Sequence, residues 1–372
     1  MTIAIDVRCL MDKNYSGVAW YGYYLLKNLF ARDKNNQYLL FYNSSRRPKL
    51  PEFNYPNVHY RGFSWPNKLF NLSLEVLNRP QLDKLLGGVD IFFAPNLNFL
   101  ALSDDCRKII TVHDLSFLHF KEFFTLKSRL WHWLILRKKI LSRADVIIAD
   151  SNNTKNDLIN LFALPMEKIK VIYLGVEKNL NAISEENLIR VKEKYHLPEK
   201  FILFLGALEP RKNLAGVIKT FIALNNLNDY QLIIGGTGDW RQGEIFNLTK
   251  NNQRIKFLGY VNEADKPALY QLAKVFVYPS YYEGFGLPLL EAMTYGCPVI
   301  CGSNSSQTEV VGLAGLLVNP YNMSEIKQAI EGIIFDDDFR QQLIAKGLER
   351  SKMFSWQKTA QETLDVFNGF KK

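Results

Sequence analysis

The sequence predicts an α/β protein of two units, each built on a parallel, doubly wound sheet. The chain has 372 residues, more than the roughly 250–300 at which a single hydrophobic core stops growing. Short apolar runs alternate with helical patterns in both halves, as in parallel sheets with crossover helices. The pattern restarts at Phe201, after a charged stretch (176–200) that Pro198 interrupts. We therefore expect one unit over 1–175, another over 176–354, and a last helix, about 355–372, that packs back on the first.

The N-terminal half opens with an apolar strand at Thr2–Val7, a loop holding Gly17 and a helix over 18–30. No G-x-G-x-x-G pattern follows the strand, which argues against a nicotinamide or flavin oxidoreductase. Gly17 either brings backbone N–H groups to a phosphate or forms a plain turn. Ser151–Thr154 is a plausible N-cap for a helix through Phe162. Further strands are predicted at 38–42, 89–94, 108–113, 145–150 and 170–173.

The predicted strand 108–113 ends on His113, which is followed by Asp114. Ligands bind outside the carboxyl ends of strands in open α/β sheets. A lone histidine is often structural, but this position favours a functional residue.

The C-terminal half repeats the strand–helix alternation, with a first strand at 201–206 that ends on Gly206. Arg211 and Lys212 follow at a strand-to-helix turn, where a planar fork and a point charge suit a diphosphate. A solvated charge pair is the alternative. Further strands are predicted at 231–234, 255–258, 275–278, 298–301 and 315–318. The loops between them, including Gly259-Tyr260-Val261, are expected to converge on one edge, where a base and ribose could lie.

The segment Tyr281–Ala292 combines an apolar strand, a glycine loop and a helix start. Gly284 and Gly286 permit close backbone approach, and the following helix offers N–H groups to an anion. Glu283 and Glu291 place a carboxylate at each end of such a ligand, which is the shape of a sugar nucleotide. In the alternative reading, Glu291 is an ordinary first-turn helix glutamate and Glu283 a surface loop residue.

The net charge of +9 lies in the N-terminal half, because residues 1–175 hold 24 Lys and Arg against 15 Asp and Glu, and 176–372 hold 22 of each. Leu118–Arg143 carries seven basic residues and one Glu, interleaved with aromatic residues including Trp131 and Trp133. This pattern is typical of an interfacial amphipathic helix; a core-packed helix with a solvated basic face is the alternative. No apolar run has the length of a membrane span and no signal peptide is evident, so we expect a cytoplasmic protein.

Three motifs in this order, Val-His-Asp at 112–114, Glu-Pro-Arg-Lys-Asn at 209–213 and Glu-Gly-Phe-Gly-Leu-Pro-Leu-Leu-Glu at 283–291, resemble retaining GT-B glycosyltransferases of family 4. The resemblance covers nearly the whole chain. It implies a GT-B fold, with two Rossmann-like domains facing each other across a cleft. The first would bind the acceptor and the second a nucleotide sugar.

The resemblance also implies roles for individual residues. Glu283 would face the transferred sugar and its leaving group, and Glu291 would accept hydrogen bonds from the ribose. Arg211 and Lys212 would neutralise the departing diphosphate, and His113 would contact the transferred sugar or the acceptor side. Gly17 would correspond to the glycine of the family's N-terminal loop. Many members carry a second small residue or a Gly-x-Gly in this loop, whereas this chain has Ser16-Gly17-Val18-Ala19. Other expected donor contacts come from Gly206, Gly259, Tyr260, Val261, Gly284, Phe285, Gly286 and Leu287.

We expect a metal-independent reaction without cofactor, because cations and a helix terminus can stabilise the leaving group and no aspartate-rich metal motif of the D-x-D kind follows a predicted strand. The first choice of donor is GDP-mannose, since the N-terminal pattern looks like bacterial O-antigen mannosyltransferases; UDP-glucose and related donors remain alternatives. The expected partner is a lipid-linked or growing glycan acceptor at the inner membrane surface, contacted through Leu118–Arg143.

Four competing functions are weighed against this one. A glycosidase would use two carboxylates but has no need of Arg211 and Lys212. A sugar phosphorylase would require inorganic phosphate and often a pyridoxal phosphate lysine. A nucleic-acid-binding protein would exploit the basic charge, but the chain shows no recognisable module for it. A catalytically silent sugar-nucleotide sensor would not need every catalytic position.

Overall fold

The computed structural model describes residues 1–12, 15–46, 48–135, 138–238 and 243–371, with the backbone alone at 130–134 and 138–139. The chain forms two compact units. The N-terminal unit comprises Met1–Gly175 with Ser355–Lys372, and the C-terminal unit comprises Val176–Phe354.

The N-terminal unit contains a parallel sheet of seven strands within the described part of the chain, ordered β3-β2-β1-β4-β5-β6-β7. The strands are β1 (Thr2–Asp6), β2 (Gln37–Asn43), β3 (Val58–Phe63), β4 (Ile91–Ala94), β5 (Arg107–Val112), β6 (Val146–Ala149) and β7 (Ile169–Val171). The helices between them are α1 (Gly17–Arg32), α2 (Asn67–Leu72), α3 (Leu82–Leu85), α4 (Ser116–His119), α5 (Leu126–Ile135), α6 (Lys138–Arg143) and α7 (Asn152–Phe162).

The C-terminal unit contains a second parallel sheet, ordered β10-β9-β8-β11-β12-β13 across its described residues. Its strands are β8 (Phe201–Leu205), β9 (Gln231–Gly235), β10 (Ile255–Gly259), β11 (Val275–Tyr278), β12 (Val299–Gly302) and β13 (Leu316–Val318). Its helices are α8 (Glu185–Lys194), α9 (Leu214–Ile222), α10 (Gly243–Thr249), α11 (Lys266–Leu272), α12 (Leu287–Thr294), α13 (Gln307–Val311), α14 (Met323–Phe335) and α15 (Asp337–Ser351).

The central strands are buried along their whole length, which explains why their sequences are continuous apolar runs and not alternating ones. Every residue of β8 and β11 is buried, as expected when helices cover both faces of a parallel sheet. Because all strands of a sheet run the same way, their carboxyl ends meet at one edge. The predicted α/β class with parallel sheets is confirmed.

The N-terminal sheet departs from the sequence prediction at β3 and at the end of β5. Strand β3 was not predicted. It lies at the sheet edge, and exposed polar residues such as His59 and Arg61 interrupt its apolar ones, so it does not form a continuous apolar run. Strand β5 ends at Val112, one residue before His113. The predicted cap of α7 is confirmed, since Ser151 Oγ accepts a hydrogen bond of 3.1 Å from the Thr154 N–H.

The basic stretch Leu118–Arg143 does not form one helix. Its described residues include the end of α4, a short turn at Lys121–Phe123, and helices α5 and α6. Arg137 and the side chains of Trp131, Trp133, Lys138 and Lys139 lie outside the described residues. Across the part of the chain that is described, no helix combines the length and apolar character needed to cross a bilayer.

The last helix, α16 (Trp356–Asn368), packs on the N-terminal unit. Trp356 stacks on Tyr24 of α1 with ring centroids 5.5 Å apart. Phe367 is fully buried and meets the Phe93 ring edge-on at 5.4 Å. These contacts make α16 part of the N-terminal core.

Replacing Phe367 with alanine should lower the free energy of unfolding by about 3–5 kcal/mol, because it opens a cavity against Phe93. Urea denaturation followed by circular dichroism measures this loss. Phe335→Ala is the matched control, since Phe335 is 61% exposed and its replacement should stay within about 0.5 kcal/mol. Equal effects of the two substitutions would contradict the packing of α16 described above.

Candidate functional site

Glu283 lies in the loop between β11 and α12 of the C-terminal unit, and two serines hold this loop. Ser306 Oγ donates to the carbonyls of Glu283 at 2.8 Å and Phe285 at 2.9 Å. The Glu283 N–H donates to Ser305 Oγ at 3.1 Å. Gly286 precedes α12 with φ of 101°, a left-handed conformation that favours glycine. The loop is therefore fixed at the amino end of α12.

Arg211 and Lys212 lie in the turn between β8 and α9, and this turn is joined to the Glu283 loop. The Tyr281 N–H donates to the Arg211 carbonyl at 2.8 Å. The Tyr281 hydroxyl donates to Asn213 Oδ1 at 2.8 Å, and Asn213 has a left-handed φ of 58°. These contacts bring two loops that are about 70 residues apart in sequence into one structure.

The Glu283 carboxylate lies between both cations of this turn. Lys212 Nζ donates to Glu283 Oε1 at 2.5 Å, and Arg211 Nη1 donates to Glu283 Oε2 at 3.0 Å. Lys212 is 6% exposed and Glu283 is 5% exposed. Because buried charges are retained only when paired and hydrogen-bonded, each group depends on the others.

The buried pairing controls the protonation of both groups. Burial alone would raise the pKa of Glu283, but the charges of Lys212 and Arg211 outweigh it and lower the pKa to about 2. Burial and the neighbouring Arg211 lower the pKa of Lys212, against the opposing charge of Glu283. Glu283 is therefore a carboxylate at neutral pH and cannot donate a proton there.

The sequence did not indicate that the two cations are already balanced by carboxylates. Arg211 Nε also donates to Glu209 Oε2 at 2.7 Å. Arg211 and Lys212 thus face two negative charges, from Glu209 and Glu283. Sequence spacing could not reveal this, because it does not say which side chains point at each other across loops.

Glycines line the carboxyl ends of β8, β9 and β10, where the sequence placed Gly206 and Gly259. The Gly206 N–H donates to the Gly235 carbonyl at 3.0 Å, and the Gly236 N–H donates to the Gly259 carbonyl at 2.7 Å. A Cβ on Gly236 would lie 1.8 Å from the Gly206 oxygen, at a φ of 139°. Side chains are thereby kept away from this edge. Next to it, Tyr260 is 56% exposed and Val261 is buried.

Glu291 lies in α12, and its partners differ from those of Glu283. The Tyr270 hydroxyl donates to Glu291 Oε2 at 2.9 Å. Burial raises the pKa of Glu291, and the charge of Lys266 opposes that shift. Lys266 is itself paired with Glu263 at 2.5 Å. Sequence reasoning missed Tyr270 and Lys266, both in α11, because no motif marks them.

The remaining loop residues are placed as follows. Gly284 and Phe285 are buried, and the Phe285 ring packs edge-on against Phe354 at 5.9 Å. The Phe285 side chain therefore belongs to the core. Leu287 is the first residue of α12, and Pro288 occupies its first turn, where a missing N–H has no cost.

In the N-terminal unit, His113 follows β5 at the carboxyl edge of the sheet, and both of its ring nitrogens meet oxygen atoms. His113 Nδ1 lies 2.6 Å from Asp150 Oδ2, and Nε2 lies 2.8 Å from the Pro95 carbonyl oxygen. A carbonyl can only accept, so Nε2 carries a proton. Burial would lower the pKa of His113, but Asp150 and the Pro95 carbonyl outweigh it and raise the pKa. His113 in this arrangement has no nitrogen available as a general base.

Gly17, the other predicted residue of this unit, is the first residue of α1. A Cβ built on it would meet no atom of the described residues within 4 Å. The described part of the chain therefore leaves space beside this helix start. Within the described residues, no group of three or more His, Cys, Asp or Glu could hold a metal ion.

Two family models match the chain. Residues 15–180 match the model "Glycosyltransferase Family 4", and residues 185–350 match "Glycosyl transferases group 1".

Curated relatives agree with these models. An "O-antigen chain mannosyltransferase B" of Escherichia coli is 34% identical over 267 residues, which span 70% of this chain and 70% of that protein. A "Serotype-specific mannosyltransferase WbdA" of Escherichia coli is 31% identical over 272 residues, which span 70% of this chain but 33% of that protein.

Solved structures share the fold. A sucrose-phosphate synthase from Thermosynechococcus elongatus superposes with a TM-score of 0.76 at 21% identity, covering 99% of this chain and 98% of that one. Anabaena Alr3699/HepE, in complex with UDP and glucose, gives a TM-score of 0.72 at 18% identity, covering 99% and 100%. At these identities the likeness shows the GT-B fold alone. Together with the family models and the first relative, it leads to one conclusion: this chain belongs to the group 1 glycosyltransferases of family 4 and is a glycosyltransferase.

Proposed function

We propose that this glycosyltransferase moves a hexose, with mannose from GDP-mannose as first choice, to a lipid-linked or growing polysaccharide acceptor with retention of anomeric configuration. The observation that carries the proposal is the pair of cations, Arg211 and Lys212, that meets Glu283 beside the amino end of α12. The names of the two Escherichia coli relatives support mannose and O-antigen synthesis.

The departing diphosphate gains negative charge as the bond from sugar to phosphate breaks. Arg211, Lys212 and the N–H groups at the start of α12 stabilise that charge, because fixed donors in a buried site need no reorganisation. We propose that they do so without a metal ion. The acceptor hydroxyl attacks the anomeric carbon from the face that the diphosphate leaves, and its proton passes to the departing diphosphate, so that the configuration is retained.

Glu283 has two tasks in this proposal. Its carboxylate holds Arg211 and Lys212 in position, and it faces the transferred sugar. With a pKa of about 2, it remains ionised at neutral pH and stabilises positive charge that develops on the sugar. It does not act as a general acid.

The nucleoside half of the donor binds to the remaining predicted residues of the C-terminal unit. Glu291 accepts hydrogen bonds from the ribose, while Tyr270 orients its carboxylate. The base lies along the glycine edge at Gly206 and Gly259–Val261. Backbone groups of 284–287 contact the sugar and phosphates.

The N-terminal unit binds the acceptor. His113 contributes a fixed positive edge near the acceptor or transferred sugar, and Gly17 offers helix N–H groups to a phosphate. We also propose peripheral association with the inner face of the cytoplasmic membrane, to which the basic stretch Leu118–Arg143 contributes charge.

A panel of GDP-, UDP- and ADP-sugars, scored by thermal unfolding, tests the donor. GDP-mannose at about 100 times its dissociation constant should stabilise the protein by about 2.7 kcal/mol. If UDP-glucose stabilised the protein more than GDP-mannose does, the donor would be a UDP-sugar and the GDP-mannose proposal would be wrong. Glu291→Ala serves as the control, since loss of the ribose contact should weaken the response to every nucleotide sugar alike.

Arg211→Ala and Lys212→Ala should each lower kcat by about 100-fold or more, because each removes a charged donor from the leaving group. Steady-state kinetics with the preferred donor measure this loss. Lys219→Ala is the matched control: Lys219 lies in the neighbouring α9 and its side chain is 42% exposed. Near-normal turnover in either variant would reject its assignment.

The His113–Asp150 pair should make stability depend on pH. Since the folded pKa of His113 is raised above 6.5, its contribution is complete below pH 6.5 and is lost as the pH rises through the folded value. The stability difference between the native protein and His113→Gln should therefore be largest at and below about pH 6 and decline towards pH 9. Urea denaturation across this range measures it. A difference that grew with pH would contradict a raised pKa.

A further inference from the structure

The outer side of α2 and of the helical turn that follows it, Ser73–Leu77, exposes a row of large apolar side chains. Leu69, Leu72, Val76 and Leu77 are 67%, 58%, 67% and 68% exposed. The spacing of three and four residues from Leu69 to Leu72 to Val76 places them along one side of a helix, and Leu77 adjoins them. We call these four residues the Leu69–Leu77 face.

The opposite side of the same helix is anchored in the N-terminal core. Phe70 and Leu74 are 3% and 2% exposed, and they join the core cluster of Phe41 and Phe92. The Phe70 ring also meets Trp65 edge-on at 5.0 Å. The helix is thus held in place by one side while its other side presents apolar groups to the surroundings. A contiguous apolar surface of this kind marks an interaction site.

The charge of the segment that carries this face indicates which kind of partner it binds. Between 44 and 80 the sequence holds six basic residues and two acidic ones, namely Arg46, Arg47, Lys49, Arg61, Lys68 and Arg79 against Glu52 and Glu75. Of these, Arg46, Lys49, Arg61, Lys68 and Arg79 are exposed, and so is Glu52. An apolar row in a segment whose exposed charges are mostly basic matches the acyl chains and headgroups of an anionic bilayer. A second copy of the chain would instead bring two basic segments together, which like-charge repulsion opposes.

The basic stretch Leu118–Arg143 does not offer a comparable apolar row in its described side chains. Leu126 is 80% exposed, but Phe123 and Phe124 are half-buried. Phe124 packs against the core cluster of β5 and α7. Charge alone gives weak, salt-sensitive binding to membranes, whereas an apolar row inserts.

We propose that the Leu69–Leu77 face inserts into the headgroup region of an anionic bilayer and is the apolar anchor of the N-terminal unit. The proposal deepens the membrane association stated under the proposed function. It would place the acceptor-binding unit against the surface that carries a lipid-linked acceptor. Insertion requires neither donor nor acceptor, so it is testable without turnover.

Sedimentation with vesicles tests the anchor, using phosphatidylcholine vesicles with and without 30 mol% phosphatidylglycerol. The native protein should bind the anionic vesicles. The double variant Leu72→Asp, Val76→Asp should bind them at least tenfold more weakly, because two carboxylates cannot enter the bilayer and are repelled by it. Leu313→Asp is the matched control, since Leu313 is 91% exposed in the C-terminal unit; it should bind as the native protein does.

Three results would overturn the proposal. The first is that the double variant binds the anionic vesicles as tightly as the native protein. The second is that Leu126→Asp loses binding while the double variant keeps it. The third is that the double variant converts a native dimer to a monomer without changing vesicle binding. The thermal response to the preferred nucleotide sugar, measured on the same samples, verifies folding. It also separates the two proposals. If no nucleotide sugar stabilised the protein but vesicle binding were intact, the proposed function would be contradicted and the proposed membrane anchor would not.

Discussion

The buried contact of Glu283 with Lys212 and Arg211 is the interaction on which the C-terminal site depends. It joins the turn after β8 to the loop after β11, so that residues about 70 positions apart share one charge network. Removing one member would leave a buried charge unpaired, which is far more costly than losing an exposed ion pair. The network therefore holds both loops at the amino end of α12 before any ligand arrives.

This network also offsets the positive charge of the turn that holds Arg211 and Lys212. A turn with an exposed Arg-Lys pair would attract any polyanion, but here Glu209 and Glu283 balance both cations. In the proposed function, the diphosphate is therefore bound by fixed N–H donors and by Arg211 and Lys212 within a network whose charges are already balanced. Under that proposal, the site would favour a ligand of matching shape over phosphate in general, because Glu209 and Glu283 offset the positive charge of the turn.

The N-terminal unit repeats the same physical device with different residues. His113 is held between Asp150 and the Pro95 carbonyl, so its protons are committed to the protein. The two units thus differ in what they expose. The C-terminal unit holds a polar site whose charges are paired, and the N-terminal unit exposes the apolar Leu69–Leu77 face in a segment rich in basic residues. Both features are consistent with the proposed transfer to a lipid-linked acceptor.

The sequence alone determined the α/β class, the parallel sheets and most strands, because buried strands read as continuous apolar runs and turns carry glycine and proline. It also determined the glycosyltransferase family and which residues gather at strand ends, since the motifs at 209–213 and 283–291 are local. Only the tertiary structure decided that Glu283 pairs with Lys212 and Arg211, that Tyr270 holds Glu291, that His113 has no free nitrogen, and that the helix over 67–77 turns four apolar side chains outward. Each of these depends on which side chains meet across distant segments, and periodicity along one segment carries no information about that.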